Sequence, residues 1–280
     1  MSLPPTIGRL APSPTGLLHL GHARTFFIAH QRVRAASGTL YLRDEDIDPQ
    51  RSRPEFAAAM REDLQWLGLT WDAELRQSER LPLYLAALEQ LLAAGLAYPC
   101  SCSRRDLSLS THAPHEDPAA ESDDEPLYNN RCRPASPTIT PFSPATYRFR
   151  IPDHTPIAFT DLNAGPQTFI PGTDFGDFII WRKPLTANPS DIGLPSYQLA
   201  CVVDDALTSI TEVVRGRDLL KSTARQILLQ RALHYPTPSY FHCDLMRDTH
   251  GVRLAKRHDA LALRTLRANG LSPADILAFF

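Results

Sequence analysis

Residues 9–36, RLAPSPTGLLHLGHARTFFIAHQRVRAA, run from the end of a short strand through a turn-rich loop into a helix. Pro12, Pro14 and Gly16 punctuate the loop, apolar residues recur at helical spacing from Leu20 onward, and Gly38 is placed as a stop just past the end. His19 and His22 stand three apart at the mouth of that helix. The first turn of a helix carries unpaired N–H groups and a partial positive charge, which suits a phosphate. Imidazoles at i and i+3 share a face there and can add further N–H donors. Gly21 between them removes a side chain where a flat base or ribose would approach. Taken alone, the pair reads equally as surface histidines near a cap. As a zinc pair the spacing is poor, because helical ligand pairs usually sit four apart.

Outward from this stretch, TLYLRDEDID (39–48) alternates apolar and polar residues as a strand should, then turns acidic. Ser52 and Glu55 have capping-box spacing, with Pro54 in the first turn of the helix that follows and Gly68 at its end. Residues 79–94 form an amphipathic pattern closed by Gly95. Strand–helix alternation with a glycine-bearing first turn predicts an α/β fold with a doubly wound parallel sheet. Residues 106–130 change character: acids gather among Pro and Ala with no Lys or Arg between those ends, which predicts a mobile loop. Residues 145–183 are β-rich, 197–214 are core-like, LLKSTARQILLQRALH (219–234) is helical, and the last thirty residues read as loop and short helices. No internal repeat is visible.

A chain of 280 residues can bury a large core, and 43% hydrophobic with 21% charged residues is ordinary globular composition. No apolar run approaches the length of a membrane span. The first motif begins at Arg9, leaving no room for a signal peptide. Five cysteines, an odd number, do not form a disulfide framework, so a reducing cytoplasm is expected. A formal net charge of −2 excludes a wholesale basic surface, so a polyanionic partner would have to meet a local patch.

His19-Leu20-Gly21-His22 resembles the signature of the class I aminoacyl-tRNA synthetases, and the preceding RLAPSPTG resembles their glutamyl and glutaminyl branch. YLRDEDID (41–48), SERLPLYLAALEQLLAAGLAYPCSCSRRDL (78–107) and YQLACVVDDALTSITEVVRGRDLL (197–220) extend the resemblance over most of residues 6–260. It implies a Rossmann-like catalytic fold with a small zinc-bearing insertion and a short C-terminal helical part. Residues 1–99 would form the first half of the nucleotide-binding catalytic domain. Residues 100–190 would be an insertion comprising a zinc knuckle, the acidic loop and a β-rich acceptor-binding part. Residues 191–260 would form the second half with a lysine loop, and 261–280 a helical tail. RLAKR (253–257) is the nearest match to the family's lysine loop, with Lys256 at the second lysine. Arg253 and Ala255 depart from the family's lysine and serine.

The resemblance also implies roles. His19, His22 and Lys256 are catalytic by charge neutralisation on the phosphates, and Pro12 and Gly21 join them in binding ATP, which brings Mg²⁺. A free glutamate carries two carboxylates and an ammonium. Arg9 and Arg215 are candidate carboxylate partners, since guanidinium binds carboxylate through paired hydrogen bonds. Glu45 is the candidate for the ammonium, Tyr197 and Ser13 supply hydroxyls, and Leu10, Ala11 and Pro12 complete the glutamate set. By residue type alone each of these reads first as a surface charge or, for Tyr197, a core tyrosine.

Cys100 and Cys102 lie two apart, and Tyr128 lies four before Cys132. On composition alone these cysteines are as well read as reduced thiols. With the resemblance they imply one structural zinc ion, with His112 and His115 as alternatives to Tyr128 for the fourth ligand. Cys201 and Cys243 sit in apolar surroundings and are expected in the core. The chain ends at Phe280, shortly past the lysine loop, with no counterpart of the portion that reads the anticodon in a full glutamyl-tRNA synthetase. The resemblance is thus to the short paralogues that transfer glutamate to the queuosine base at the wobble position of tRNA(Asp). The expected partners are ATP, L-glutamate and queuosine-bearing tRNA(Asp), with no membrane and no obligate protein partner. Alternatives are a minimal enzyme charging tRNA(Glu), a catalytically dead zinc-bearing RNA-binding module and, more remotely, a nucleotidylyltransferase.

Overall fold

The computed structural model describes residues 5–102, 127–186, 188, 190–246 and 262–280. The chain divides into two compact units. The first comprises Met1–Glu79, Ser209–Arg217 and Pro238–Phe280, and the second comprises Arg80–Thr208 and Asp218–Thr237.

In the first unit, β1 (Ile7–Leu10), β2 (Thr39–Asp44) and β3 (Ala73–Arg76) form a parallel sheet in that order, with Arg9 opposite Tyr41 and Tyr41 opposite Ala73. β10 (Glu212–Gly216) pairs in parallel with β11 (Ser239–Cys243). β10 also lies beside β1, where Thr211 N–H donates to the Ile7 carbonyl at 2.9 Å and Ile7 N–H to the Thr211 hydroxyl at 2.8 Å. The helix predicted after the opening loop is α1 (Leu20–Ala35), which buries Leu20, Ala23, Phe26, Ala29 and Val33 along one stripe. It packs closely because β1 carries Gly8: a Cβ there would stand 2.5 Å from Val33 Cγ2. The left-handed residue that stops α1 is Ser37 (φ 50°) rather than Gly38, whose lack of a side chain instead admits the Thr6 carbonyl, 2.1 Å from where its Cβ would be.

α2 (Pro54–Trp66) ends at Gly68 in the left-handed region (φ 76°), as its position predicts. The expected Ser52–Glu55 capping box does not form. Arg53 is the N-cap, without a side-chain cap bond. The preceding turn fixes this register: Ser52 N–H donates to the Asp48 carbonyl at 2.8 Å and Arg53 N–H to the Pro14 carbonyl at 3.0 Å, so the helix begins one residue later, on Pro54. The unit closes with α6 (Leu263–Ala268) and α7 (Pro273–Leu277), the short C-terminal helices anticipated from the sequence. Leu263 and Ile276 reach the same apolar core as Leu10, Phe26, Leu42 and Leu64.

The second unit starts with α3 (Leu81–Ala93), closed by Gly95 (φ 70°). An antiparallel sheet follows in the order β4 (Ala97–Pro99), β5 (Tyr147–Phe149), β8 (Phe178–Arg182) and β9 (Leu194–Pro195), and β6 (Ile157–Asp161) forms a hairpin with β7 (Gly165–Phe169). α4 (Tyr197–Leu207) and α5 (Leu220–Ala232) complete it. Fully buried Asp204 on α4 accepts from Arg80 Nε at 2.7 Å and from the Tyr84 hydroxyl at 3.0 and 2.9 Å, tying α3 to α4. The α/β expectation is met by parallel strands with helices in one unit, while the other combines helices with antiparallel strands. No helix among the described residues is long and apolar enough to cross a membrane.

Candidate functional site

The loop from β1 to α1 leaves the C-terminal end of a parallel strand and enters a helix N-terminus, the usual place for an anion in such a sheet. His19 is the N-cap of α1. Its Nδ1 accepts from Gly21 N–H at 3.1 Å, while His22 Nδ1 accepts from His19 N–H at 3.4 Å. The histidine pair thus takes the reciprocal part that Ser/Thr and Glu play in a capping box. With Nδ1 accepting, the neutral ring carries its proton on Nε2, so each imidazole presents an N–H donor away from the helix backbone. The rings stack with centroids 3.6 Å apart and planes at 28°. A Cβ at position 21 would come within 3.1 Å of His19 Cε1, a tight contact that would push on the imidazole.

Arg9 and Leu10 are the last residues of β1. Leu10 is fully buried in the core, so only its main chain remains available, whereas the buried Arg9 donates from Nη1 to the Val214 carbonyl at 3.0 Å. This contact brings its guanidinium to the residue preceding Arg215 on β10. Arg215, also buried, donates from Nε to Nε2 of the fully buried His242 on β11 at 3.2 Å, and its guanidinium lies 5.5 Å from the Tyr240 ring centroid. Ala11, Pro12 and Ser13 follow β1. The Pro12 carbonyl accepts from Glu45 N–H at 3.0 Å, and Ser13 Oγ donates to Glu45 Oε2 at 3.4 Å. Glu45 stands just past β2, and its Oε1 accepts from the buried Arg43 at 3.1 Å. The first unit thus gathers Arg9, Ser13, His19, Gly21, His22, Glu45 and Arg215 around strand ends and a helix mouth. Tyr197 opens α4 in the second unit and is partly exposed. Lys256, with the rest of residues 253–257, lies outside the described residues, as do His112, His115 and residues 106–126 of the acidic segment.

In the second unit the Cys100, Cys102 and Cys132 sulfurs lie within 4.8 Å of one another, with Cys102 and Cys132 at 3.5 Å. The Tyr128 hydroxyl is 3.6 Å from Cys100 Sγ and 3.8 Å from Cys102 Sγ, and accepts from Cys132 N–H at 2.7 Å. Thiolates bound tetrahedrally to one ion at ~2.3 Å would stand about 3.8 Å apart, so these donors fit a single soft cation. Burial opposes ionisation of Cys132, but hydrogen bonds from the Tyr128 hydroxyl, Ser101 and Cys102 win and hold its thiol down at about 6. Burial first, then contact with the same sulfurs, pushes the Tyr128 phenol up. Cys201 and Cys243 are buried in the core, as expected.

Motif reading missed the residues that hold these groups. His242 lies on a strand without any distinguishing local pattern and serves Arg215, 27 positions away on another strand. Arg43 lies inside YLRDEDID and serves Glu45 two positions on, but only its burial marks it out. Arg148 on β5, whose Nε donates to Cys100 Sγ at 3.3 Å, was likewise unmarked. A buried Arg or His beside a functional residue is the signal that finds them, and only coordinates supply it.

The catalytic-domain model described as tRNA synthetases class I (E and Q) matches residues 6–280. The Glutamyl-Q tRNA(Asp) synthetase of Symbiobacterium thermophilum is 46% identical, over 96% of this chain and 84% of its own length. The protein of that name from Rhodobacter capsulatus is 42% identical, over 96% of this chain and 98% of its own. Among solved structures, a glutamate-tRNA synthetase from Elizabethkingia anophelis superposes with a TM-score of 0.75 at 27% identity. The likeness covers 96% of this chain and 54% of that one, so the chain spans about half its length. Likeness that runs from β1 to the last helix, in sequence and in fold together, leaves one assignment: the chain belongs to the class I tRNA synthetases (E and Q), whose catalytic domain it matches.

Proposed function

We propose that the protein activates L-glutamate with ATP and transfers it to the queuosine base at the wobble position of tRNA(Asp). The observation that carries the glutamate reading is that neighbouring strands each bury an arginine close to their C-terminal ends, Arg9 on β1 and Arg215 on β10. A guanidinium binds a carboxylate through paired hydrogen bonds, and a dicarboxylic amino acid brings two carboxylates to such a pair of arginines. Glu45, fixed by Arg43 and Ser13, offers the opposite charge for the ammonium. Tyr197 is assigned to the amino acid on the sequence resemblance alone, and Lys256 to the phosphates on the same ground. The RNA is assigned on the names of relatives that the likeness covers over 84% and 98% of their own lengths.

The chemistry has two displacements. An oxygen of the glutamate α-carboxylate attacks the ATP α-phosphorus, and the bond to pyrophosphate breaks. A hydroxyl of the acceptor then attacks the acyl carbon of glutamyl-adenylate, losing its proton as AMP departs. No side chain forms a covalent bond. The Nε2–H groups of His19 and His22, with the α1 N-terminus behind them, would meet charge growing on the phosphates, while the arginines hold the carboxylates in line. Mg²⁺ would accompany ATP, bound chiefly through its phosphate oxygens. Zinc is the proposed occupant of the cysteine cluster, held by Cys100, Cys102, Cys132 and the Tyr128 oxygen as a structural ion. A reducing cytoplasm is the proposed working compartment, since five cysteines, an odd number, do not make a disulfide framework.

Labelled glutamate and ATP, supplied with queuosine-bearing tRNA(Asp) in one reaction and tRNA(Glu) in another, test the proposal. Label is expected in tRNA(Asp) alone. Label in tRNA(Glu) alone would establish the minimal charging enzyme, and absence of glutamate-dependent pyrophosphate exchange would establish a dead module.

A further inference from the structure

We infer that Arg148 is the positioning residue of the cysteine cluster, orienting two of its donors and balancing the charge of the ion they bind. The inference rests on the zinc reading of that cluster. Arg148 is buried to 3% exposure on β5. Three faces of its guanidinium are engaged at once. Nε donates to Cys100 Sγ at 3.3 Å, Nη1 donates to the Asp177 carbonyl at 2.7 Å, and the plane lies 3.9 Å from the Tyr128 ring centroid. It therefore touches two proposed ligands and is anchored to the main chain by a third contact.

The strand is built to aim it there. The register of β5 against β8 shifts between Tyr147 and Arg148, which pair with Trp181 and Ile179. Such an irregularity turns a side chain away from simple alternation, and all three residues of β5 are buried. The anchor is also held: Asp177 accepts from the Tyr98 hydroxyl at 2.5 Å and from Ile151 N–H at 3.0 Å. Arg133, another cation of this region, is directed to Asp153 at 2.9 Å and to Asp177 at 3.6 Å.

Charge gives the arrangement its purpose. Three thiolates around one divalent ion leave a net negative charge, and burying it alone is expensive. A guanidinium bonded to one sulfur restores neutrality with a charge-assisted N–H···S bond, and its flat face fits the tyrosine ring as an ammonium would not. Outer partners of this kind set ligand orientation and affinity.

The test compares wild type, Arg148→Met and Arg148→Lys as full chains, titrated with zinc against a chromophoric chelator, with melting temperatures measured for metal-free and zinc-loaded protein. Arg148→Met is expected to weaken zinc binding about 10–100-fold. Arg148→Lys, which keeps the charge but loses Nε and the planar face, is expected between Met and wild type. The melting-temperature gain on loading should shrink in both variants. Wild-type zinc affinity in Arg148→Met would overturn the inference. So would wild-type affinity in Arg148→Lys if Arg148→Met does not fold. A lowered melting temperature with an unchanged gain on loading would show a purely structural arginine, again overturning it. A wild-type chain that binds no zinc would overturn the zinc reading and this inference together, an outcome distinct from binding that Arg148 does not affect.

Discussion

At the residue scale, His22 and Arg215 separate the two demands on the site. His22 accepts from the His19 main chain through Nδ1 and stacks on His19, so its Nε2–H is already oriented before any nucleotide arrives. His22→Ala is expected to lower glutamate-dependent pyrophosphate exchange about 10²-fold, the loss typical of one preorganised donor at developing charge. The glutamate Michaelis constant should change little. Equal loss in both would remove the phosphate role. Arg215 donates from Nε to His242, which fixes the angle of its side chain. Arg215→Ala is expected to raise the glutamate Michaelis constant about 30-fold or more, because truncating one member of a buried ion pair costs at least ~2 kcal/mol. An unchanged constant would exclude it from the pocket. The residue types and their places in the motif were legible from sequence. The hydrogen bonds that set the tautomer of His22 and the angle of Arg215 were not, since each depends on a strand or turn brought alongside by folding.

At the element scale, α1 is held by contact with β1 at one face and by ion pairs at its C-terminal end. Gly8→Ala would drive a methyl into Val33, and an overpacked core of this kind costs about 1–3 kcal/mol in denaturant unfolding. A neutral result would mean that α1 can retreat from β1. Near the other end, Arg34 donates to Asp72 Oδ2 at 2.8 Å and Leu40 N–H to the same oxygen at 2.7 Å, together holding the Asp72 carboxyl below its ordinary range. A depressed carboxylate contributes fully above its unfolded value and loses that contribution as pH falls through its lowered folded value. Asp72→Asn should therefore destabilise at neutral pH by less than about 1 kcal/mol, since the pair is solvent-exposed. The difference from wild type should vanish in acid. A difference independent of pH would show that the amide replaces the carboxylate poorly for steric reasons alone. The helices were readable from periodicity and from Gly68 and Gly95, where left-handed backbone stops them. The capping box at Ser52 was misread because the Asp48 turn, set by contacts with Pro14, decides the start of α2.

At the scale of the whole molecule, the two units should answer differently to metal. Cys100, Tyr128 and Tyr98 form a small apolar cluster of their own in the second unit, apart from the core under α1. A strong chelator is expected to reduce hydrogen-exchange protection around residues 97–102 and 127–132 while leaving that of α1 unchanged. Uniform loss across both units would contradict an ion of local structural effect, and no loss anywhere would contradict a bound ion.

The sequence by itself determined the strand–loop–helix opening, the residue types at the helix mouth and the close pair Cys100 and Cys102. Each depends on neighbours within a few positions or on a spacing that survives in the linear chain. Only the tertiary structure decided that Arg9 meets the strand of Arg215, that His242 braces it and that Arg148 stands behind Cys100. Those contacts join residues 205, 27 and 48 positions apart. Burial has to be known before a lone Arg or His on a strand acquires meaning, and burial is a property of the assembled core, not of any one segment.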